Sequence, residues 1–173
     1  MLYNLNLKNK TILITGAAGF IGSNLVMELL RTLESVHIVG LDNMNDYYDV
    51  SIKEYRLAQI KKLAAEKTAS KWTFIKGNIA DKILIEELFT EHTFDVVVNL
   101  AAQAGVRYSI DHPDVYMESN IIGFYNILIS FNGKDVNISS VMPKYIEHVC
   151  FEISNNFSIE RRSAFPAIFE SVS

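Results

Sequence analysis

Three glycines, Gly16, Gly19 and Gly22, follow the short apolar run Thr11–Thr15 and precede an apolar pattern typical of a helix. In this order a buried strand ends, the chain turns, and a helix begins with its free N–H groups and positive dipole end directed into a crevice. Such a helix start can bind a pyrophosphate, and the glycines permit the turn and the close approach of the ligand. The spacing is G-x-x-G-x-x-G, so the triplet alone also fits a glycine-rich turn without a ligand.

Asp42 is a candidate ligand for a ribose. It ends a second buried run, His37–Leu41, and stands twenty residues after Gly22. A carboxylate at this place can accept both ribose hydroxyls of an adenosine, and it would repel a 2′-phosphate, which favours NAD over NADP. The alternative is that Asp42 is only a helix N-cap or a turn residue.

Alternating strand and helix patterns surround these residues. Strands are predicted at Thr11–Thr15, 37–41, 72–77 and 94–100. Four helices are predicted, each with one apolar side that faces inward. The first follows the glycines and has the apolar set Ile21, Leu25, Leu29 and Leu33; the second spans 51–68 and has the set Ile52, Tyr55, Leu57, Ile60, Leu63 and Ala64. The third runs from the N-cap Asp81 to 91 with the set Ile83, Leu84, Leu88 and Phe89, and the fourth spans 114–131 with the set Val115, Ile121, Ile122, Phe124, Tyr125 and Leu128. The alternation predicts an α/β fold, a doubly wound parallel sheet that is Rossmann-like.

Further candidates follow the third and fourth strands, at the edge where such sheets bind ligands. Asn78 and Ile79 follow the third strand, and the small residues of 101–105 allow a flat ligand to lie against the backbone. Asn120 falls inside an apolar set, so it must be hydrogen-bonded, either as a tie to the preceding loop or as a ligand contact. The charged residues of 51–68 are predicted to form a solvated face.

Composition excludes several classes of protein. The 173 residues are 49% hydrophobic and 21% charged with a net charge of −4, so no basic field indicates a nucleic-acid partner. The single Cys150 excludes an internal disulfide framework and fits a reducing compartment. The sequence shows no secretory signal and no apolar run long enough for a membrane span, and it suggests no metal site. A cytoplasmic protein is expected.

Four stretches together carry a family resemblance: T-G-A-A-G-F-I-G, V-G-L-D-N-M-N-D-Y-Y-D, L-A-A-Q-A-G-V-R-Y-S and E-S-N-I-I-G-F-Y-N-I-L. In this order and at these intervals they resemble the NAD-dependent epimerase/dehydratase family, the extended short-chain dehydrogenase/reductases. The second and third stretches look most like UDP-glucuronate 4-epimerases. The match runs from about residue 10 to residue 129.

The resemblance implies NAD as the cofactor and a role for each matching position. It implies pyrophosphate contacts from Gly16, Gly19, Phe20, Ile21 and Gly22; adenosine ribose contacts from Asp42 and Asn43, with Asn45 and Asp46 nearby; adenine contacts from Asn78 and Ile79; a cofactor lining of Leu100, Ala101, Ala102 and Gln103; a tie by Asn120; and a sugar-nucleotide edge of Arg107, Tyr108 and Ser109, in a loop closed by His112 and Pro113. The family usually has Asp at position 78, so Asn78 is a departure.

The family reaction that the resemblance implies is C4 epimerisation of UDP-glucuronate or another UDP-sugar through a 4-keto intermediate. A Tyr removes the hydroxyl proton, a Lys four residues later lowers the pKa of that Tyr, and a Ser or Thr holds the substrate oxygen. None of the eight tyrosines has Lys at the fourth following position. Ser139 or Ser140 is a candidate for the serine. The chain alone is therefore expected to be inactive.

Two other functions stay open at this point. One is a sugar-nucleotide dehydratase or reductase of the same superfamily, and the other is a non-catalytic NAD-binding or interaction module. The domain organisation predicted is an NAD-binding domain over 10–131 and a divergent tail over 132–173 with a further strand at 135–141. The C-terminal substrate domain of the family is expected to be absent, as in a truncated, frame-shifted or interrupted member or in one piece of a longer protein. An open sheet edge then predicts self-association, as a homodimer, or cover by the tail.

Overall fold

The computed structural model describes residues 6–130 and 137–140, and these form one parallel sheet with helices on both faces. The strands are β1 (Thr11–Thr15), β2 (His37–Asp42), β3 (Lys71–Lys76), β4 (Val96–Asn99) and β5 (Asn137–Ser140), in the spatial order β3-β2-β1-β4-β5. Every neighbouring pair is parallel. The predicted doubly wound Rossmann-like sheet is confirmed.

The helices divide between the two faces of the sheet. They are α1 (Phe20–Thr32), α2 (Val50–Ala65), α3 (Lys82–Glu91), α4 (Val106–Asp111), α5 (Pro113–Tyr116), a π-helical turn (Met117–Ile122) and α6 (Gly123–Ser130). Alternate residues of β1 point to opposite faces, so Ile12 and Ile14 pack with Val26 of α1 and Ile60 of α2. Leu13 packs in the second cluster, which contains residues of α3 and α6.

Each of the four predicted helix faces includes residues that the structure leaves exposed. Ile21 is 61% exposed, and α1 instead buries Gly22, Ser23, Val26 and Leu30. A repeat of four residues drifts from the 3.6-residue period of the helix, so a set chosen by that repeat leaves the buried stripe. Other residues of the predicted apolar sets are also exposed, namely Ile52, Tyr55, Ile83, Ile122 and Tyr125. Those sets spread over more of the helix circumference than the stripe that packs on the sheet.

The segment after β4 also differs from its prediction. Residues 106–111 form α4 where a loop was expected, and the predicted helix 114–131 is divided into α5, the π-helical turn and α6. Gly105 is the N-cap of α4, and its φ of +108° permits the loop 100–105 that follows β4 to turn into the helix. Pro113 stands at the first position of α5, where its missing N–H would be unpaired anyway.

Strand β5 lies within the region 135–141 where a strand was predicted, and its backbone pairs with β4. Val98 lies opposite Ser139, and Asn99 lies opposite Ser140. Both serines are thus at the carboxyl end of β5. Cys150 and the rest of the tail from 141 onwards lie outside the described residues, so the domain boundaries and the cover of the sheet edge stay predictions.

His37, at the amino end of β2, makes the stability of the fold depend on pH. Burial, with Lys71 and His92 nearby, holds the pKa of His37 below its ordinary value of 6.5. The folded chain therefore binds fewer protons than the unfolded chain, and the free energy of unfolding must fall as pH drops below about 6.5. In urea unfolding between pH 7.5 and 5 we expect His37→Gln to show a shallower pH dependence than the natural chain. Equal slopes would contradict this assignment.

Candidate nucleotide-binding site

A cleft opens at the carboxyl edge of the sheet, where the chain crosses from the β1–β3 half to β4. This is the position where open parallel sheets bind ligands. The cleft brings together most of the residues predicted for a cofactor: Gly16, Gly19, Asp42, Asn43, Asn45, Asn78, Ile79, Leu100, Ala101, Ala102 and Gln103. Four segments that are far apart in sequence thus meet at one place.

The glycine turn is closed so tightly that side chains would not fit. Gly16 has φ +66°, and a Cβ there would lie 2.9 Å from the backbone of Leu100 and Ala101. A Cβ on Gly22 would lie 2.2 Å from the carbonyl oxygen of Gly16. These glycines keep α1, the turn and the end of β4 in direct backbone contact, as a phosphate-binding turn requires.

The amino end of α1 presents backbone donors at this turn. Gly19 is the N-cap and carries no side chain to satisfy them, and the first turn of α1 contains no acidic residue. The side chains of Phe20 and Ile21 are 71% and 61% exposed. Their predicted contact with a pyrophosphate therefore comes from their backbone N–H groups, at the positive end of the helix. The turn therefore has the donor set that an anionic group needs.

Asp42 is held at the end of β2 with only 6% of its surface exposed. The N–H of Ala18 donates to its Oδ2 at 3.1 Å, and the N–H of Met44 donates to its Oδ1 at 2.9 Å. The bond to Ala18 joins Asp42 directly to the glycine turn. A carboxylate has about four acceptor positions, so Oδ2 retains capacity for a hydroxyl.

Lys53 is a site residue that the sequence analysis missed. It was assigned to a solvated face, but it is 4% exposed and lines the cleft. Its Nζ lies 3.3 Å from Asp42 Oδ1 and donates to Asn45 Oδ1 at 2.8 Å. The spacing in the sequence could have indicated its burial. Lys53 lies four residues before Leu57 and seven before Ile60, so the three residues share one face of the helix.

Arg56, three residues further along α2, contacts the glycine turn from outside the cleft. Its Nη1 donates to the carbonyl of Ala18 at 3.3 Å and lies 3.3 Å from the hydroxyl of Tyr48. Its guanidinium carbon is 5.8 Å from the ring centre of Phe20 and of Tyr48. Contacts of this kind are cation–π interactions, which restrain the exposed ring of Phe20 beside the turn.

Thr15 couples the ends of β1 and β4. Its buried hydroxyl accepts the N–H groups of Leu100 at 3.1 Å and Ala101 at 3.0 Å, and it donates to Asn99 Oδ1. The sequence pattern indicated only a strand position for Thr15. These bonds fix the start of the small-residue segment after β4 beside Gly16.

Two asparagines on one helical segment fix the loops on the other side of the cleft. Asn120 accepts the N–H of Gln103 at 2.8 Å and donates to the carbonyl of Gln103 at 3.0 Å, so its amide is the tie to the preceding loop. Asn126 donates to the carbonyls of Ile79 and Ala80 at 3.1 and 3.0 Å. Wider π-helical turns are frequent at functional sites, and this one carries Asn120.

The predicted sugar-nucleotide edge lies on α4, beside the loop that follows β2. The ring of Tyr108 contacts the ring of Tyr47 edge to face, with 5.0 Å between the ring centres, and the centre of the His112 ring lies 4.4 Å away. Arg107 and Ser109 share α4 with Tyr108. Together with Gly22, Asp46 and Asn120, these residues are not among those that line the cleft itself. Asp46 is exposed on the loop after β2.

The residues present fit a dinucleotide. The turn has space only for hydrogen at Gly16 and Gly22, and its donors are backbone N–H groups at a helix start. Buried Gln103 adds an amide nitrogen that no described residue bonds. Among residues 6–130 and 137–140 there is no group of three His, Cys, Asp or Glu side chains that could hold a metal ion. No helix of that same part of the chain is long and apolar enough to cross a membrane.

Known proteins are similar to this chain in sequence and in fold. A family model described as GDP-mannose 4,6 dehydratase matches residues 13–140. Protein CapI of Staphylococcus aureus is 48% identical over 117 residues, 68% of this chain and 32% of CapI. UDP-glucuronate 4-epimerase 4 of Arabidopsis thaliana is 44% identical over 118 residues, 68% of this chain and 25% of that protein. The chain thus spans about a quarter to a third of these relatives.

A solved structure gives the same result for the fold. UDP-glucose 4-epimerase from Bifidobacterium longum, solved in complex with NAD+ and UDP, matches with a TM-score of 0.60 and 25% identity. The match covers 75% of this chain and 36% of that one. The family model alone covers more than half of the chain. The chain therefore belongs to the NAD-dependent epimerase/dehydratase family of nucleotide-sugar enzymes.

Proposed function

We propose that this chain binds NAD in the cleft and is the NAD-binding part of a nucleotide-sugar 4-epimerase that acts on UDP-glucuronate or a related UDP-sugar. The observation that carries the proposal is the glycine turn, where Gly16 and Gly22 leave no room for a side chain and Asp42 is bonded to the same turn. The relatives named as UDP-glucuronate 4-epimerases support the choice of substrate.

Each part of the cleft has a proposed role. The N–H groups at Phe20, Ile21 and Gly22 bind the pyrophosphate, and Asp42 accepts a ribose hydroxyl on Oδ2. The N–H of Gly19 donates to the carbonyl of Gly16 at 3.0 Å, so Gly19 contributes through its lack of a side chain, which leaves room for the ligand. Asn43, Asn45 and Asp46 border the ribose, and Lys53 keeps the Asp42 carboxylate in position. Asn78 and Ile79 contact the base. Leu100, Ala101, Ala102 and Gln103 line the remaining wall, which Asn120 fixes.

NAD would supply a hydride acceptor for the C4 carbon of a sugar. The residues Arg107, Tyr108 and Ser109 are proposed to border the sugar nucleotide, beside the loop that carries Tyr47. The proton transfer from the C4 hydroxyl needs a base with a pKa lowered towards neutrality, and the 173 residues contain no Tyr-x-x-x-Lys. Ser139 or Ser140, at the carboxyl end of β5, is the proposed substrate-oxygen contact.

Calorimetric titration of the 173-residue chain with NAD tests the binding part of this proposal. We expect saturable binding, and NADP should bind at least about tenfold more weakly because the Asp42 carboxylate faces the ribose. The absence of binding up to millimolar NAD would contradict the proposal. In a parallel assay we expect no conversion of UDP-glucuronate by the pure chain, and measurable turnover would contradict the assignment of inactivity.

A second candidate is the NAD-binding part of a sugar-nucleotide 4,6-dehydratase. The specific observation in its favour is the description of the matching family model. Both reactions begin with the same oxidation at C4, so the cofactor cleft does not separate them. The sugar-facing residues 107–109 resemble the epimerase pattern, and this favours the first candidate.

A further inference from the structure

The loop 43–49, which joins β2 to α2, contacts α4 through the side chain of Tyr47. The loop is itself part of the cleft, because four of its residues line it, namely Asn43, Asn45, Tyr47 and Tyr48. The ring centre of Tyr47 lies 5.0 Å from that of Tyr108 on α4, in an edge-to-face arrangement. A Cβ on Gly105, the N-cap of α4, would lie 2.6 Å from the hydroxyl of Tyr47. One side chain therefore borders both the cleft and the beginning of α4.

Helix α4 has little packing of its own. It is six residues long, which is shorter than the length at which an isolated helix is stable in water. Of residues 107–111, Tyr108 and Ser109 are half-buried and the other three are exposed. The ring of Tyr108 also contacts the rings of His112 and Tyr116, but these belong to the segment that directly follows α4. Within the part of the chain that the structure describes, Tyr47 is the residue whose ring reaches Tyr108 from a distant segment.

Both ends of the loop 43–49 are fixed, whereas its middle is not. Near its start, Asn45 Oδ1 accepts a hydrogen bond from Lys53 Nζ at 2.8 Å. At its end, Asp49 Oδ1 accepts the N–H of Ser51 at 2.9 Å. Tyr47 lies between these points with 47% of its surface exposed, so its ring is packed on one side only. The position of this ring therefore depends on what occupies the cleft beside it.

We propose that Tyr47 is a positioning residue that couples NAD binding in the cleft to the position of α4, the helix that carries the proposed sugar-nucleotide edge. This inference rests on the proposed function. A dinucleotide that fills the cleft contacts the loop 43–49 and restricts its motion, so the ring of Tyr47 is held against Tyr108. NAD then favours the packed position of α4 by the free energy of that ring contact. Because such coupling is reciprocal, a ligand that orders α4 also strengthens NAD binding.

Amide hydrogen exchange of the 173-residue chain, with and without saturating NAD, tests the coupling. The reporters are the amides whose hydrogen bonds close α4. The N–H of Ser109 donates to the carbonyl of Gly105, and the N–H of His112 donates to the carbonyl of Tyr108. We expect NAD to slow their exchange at least about threefold, which is within the range of one aromatic pair. In Tyr47→Ala, saturating NAD should leave their exchange unchanged, whereas Tyr47→Phe keeps the ring and should retain the protection.

Two further variants separate this coupling from a general loss of structure. Tyr55→Ala removes an exposed ring of α2 and is the matched control, which should leave the protection unchanged. Tyr108→Ala removes the partner ring, which does not line the cleft, and should abolish the protection. By reciprocity, it should weaken NAD binding by no more than the factor by which NAD slows exchange in the natural chain.

The outcomes distinguish the coupling from the proposed function. NAD binding without slower exchange in α4, or protection that persists in Tyr47→Ala or in Tyr108→Ala, would overturn the inference while NAD binding stands. A natural chain that binds no NAD would instead overturn the proposed function.

Discussion

Gly22→Ala is expected to raise the dissociation constant for NAD at least about 100-fold, because two or more charge-assisted hydrogen bonds to the pyrophosphate are lost. The added Cβ would lie 2.2 Å from the carbonyl oxygen of Gly16 and 2.9 Å from its carbonyl carbon. Both atoms are backbone atoms of a turn that is itself packed against Leu100 and Ala101. Relief therefore requires α1 to move away from the turn, and its N–H groups move with it.

The matched control for this variant is Glu28→Ala, which changes an exposed residue on the same helix and removes only a surface ion pair with Arg31. Calorimetry measures the affinity of each variant, and circular dichroism measures whether each remains folded. Gly22→Ala should lose NAD binding at temperatures where it is still folded. An affinity equal to that of Glu28→Ala would show that the turn tolerates a side chain and would contradict its proposed role.

Lys53→Met is expected to lower the free energy of unfolding by about 3 kcal/mol. Removing one partner of a buried ion pair leaves an uncompensated charge, and the loss is larger than the net contribution of the pair itself. Lys53 and Asp42 have only 5% and 6% of their side-chain surfaces exposed, so water cannot replace the lost cation. Urea unfolding at neutral pH measures the change.

Lys82→Met provides the comparison for a solvated pair. Lys82 and Glu86 lie 3.6 Å apart with 61% and 55% of their side chains exposed. Its loss should change the free energy of unfolding by no more than about 0.5 kcal/mol. If Lys53→Met proves as mild as Lys82→Met, the buried contact with Asp42 does not form in solution.

Local patterns were enough to predict the elements that depend on nearby residues. The glycine turn follows from the positive φ of Gly16 and from Gly22, where a Cβ would lie 2.2 Å from the carbonyl oxygen of Gly16 within the same strand–turn–helix unit. The N-cap Asp81 is confirmed, because its Oδ1 accepts the N–H groups of Ile83 at 3.1 Å and Leu84 at 3.2 Å. Such contacts join residues two or three positions apart, so the sequence carries them directly.

Contacts between distant segments were not predictable in the same way. Lys53 is buried because the carboxylate of Asp42 and the amide of Asn45 reach it from another segment, and charge alone indicated a solvated side chain. The short helix α4 depends on the conformation of Gly105 and on the hydroxyl of Tyr116, which lies 2.9 Å from the carbonyl oxygen of Ala104. Tertiary contacts of this kind override local preference.

The spacing between Asn120, in the π-helical turn, and Asn126, in α6, has a consequence for how this chain tolerates changes in length. These two side chains hold the loops after β4 and β3, so the positions of both loops depend on the rotation of one helical segment about its axis. Deleting a single residue there would rotate one asparagine by about 100° relative to the other, and only one loop would remain held. An insertion or deletion between positions 120 and 126 is therefore expected to release one of the two loops.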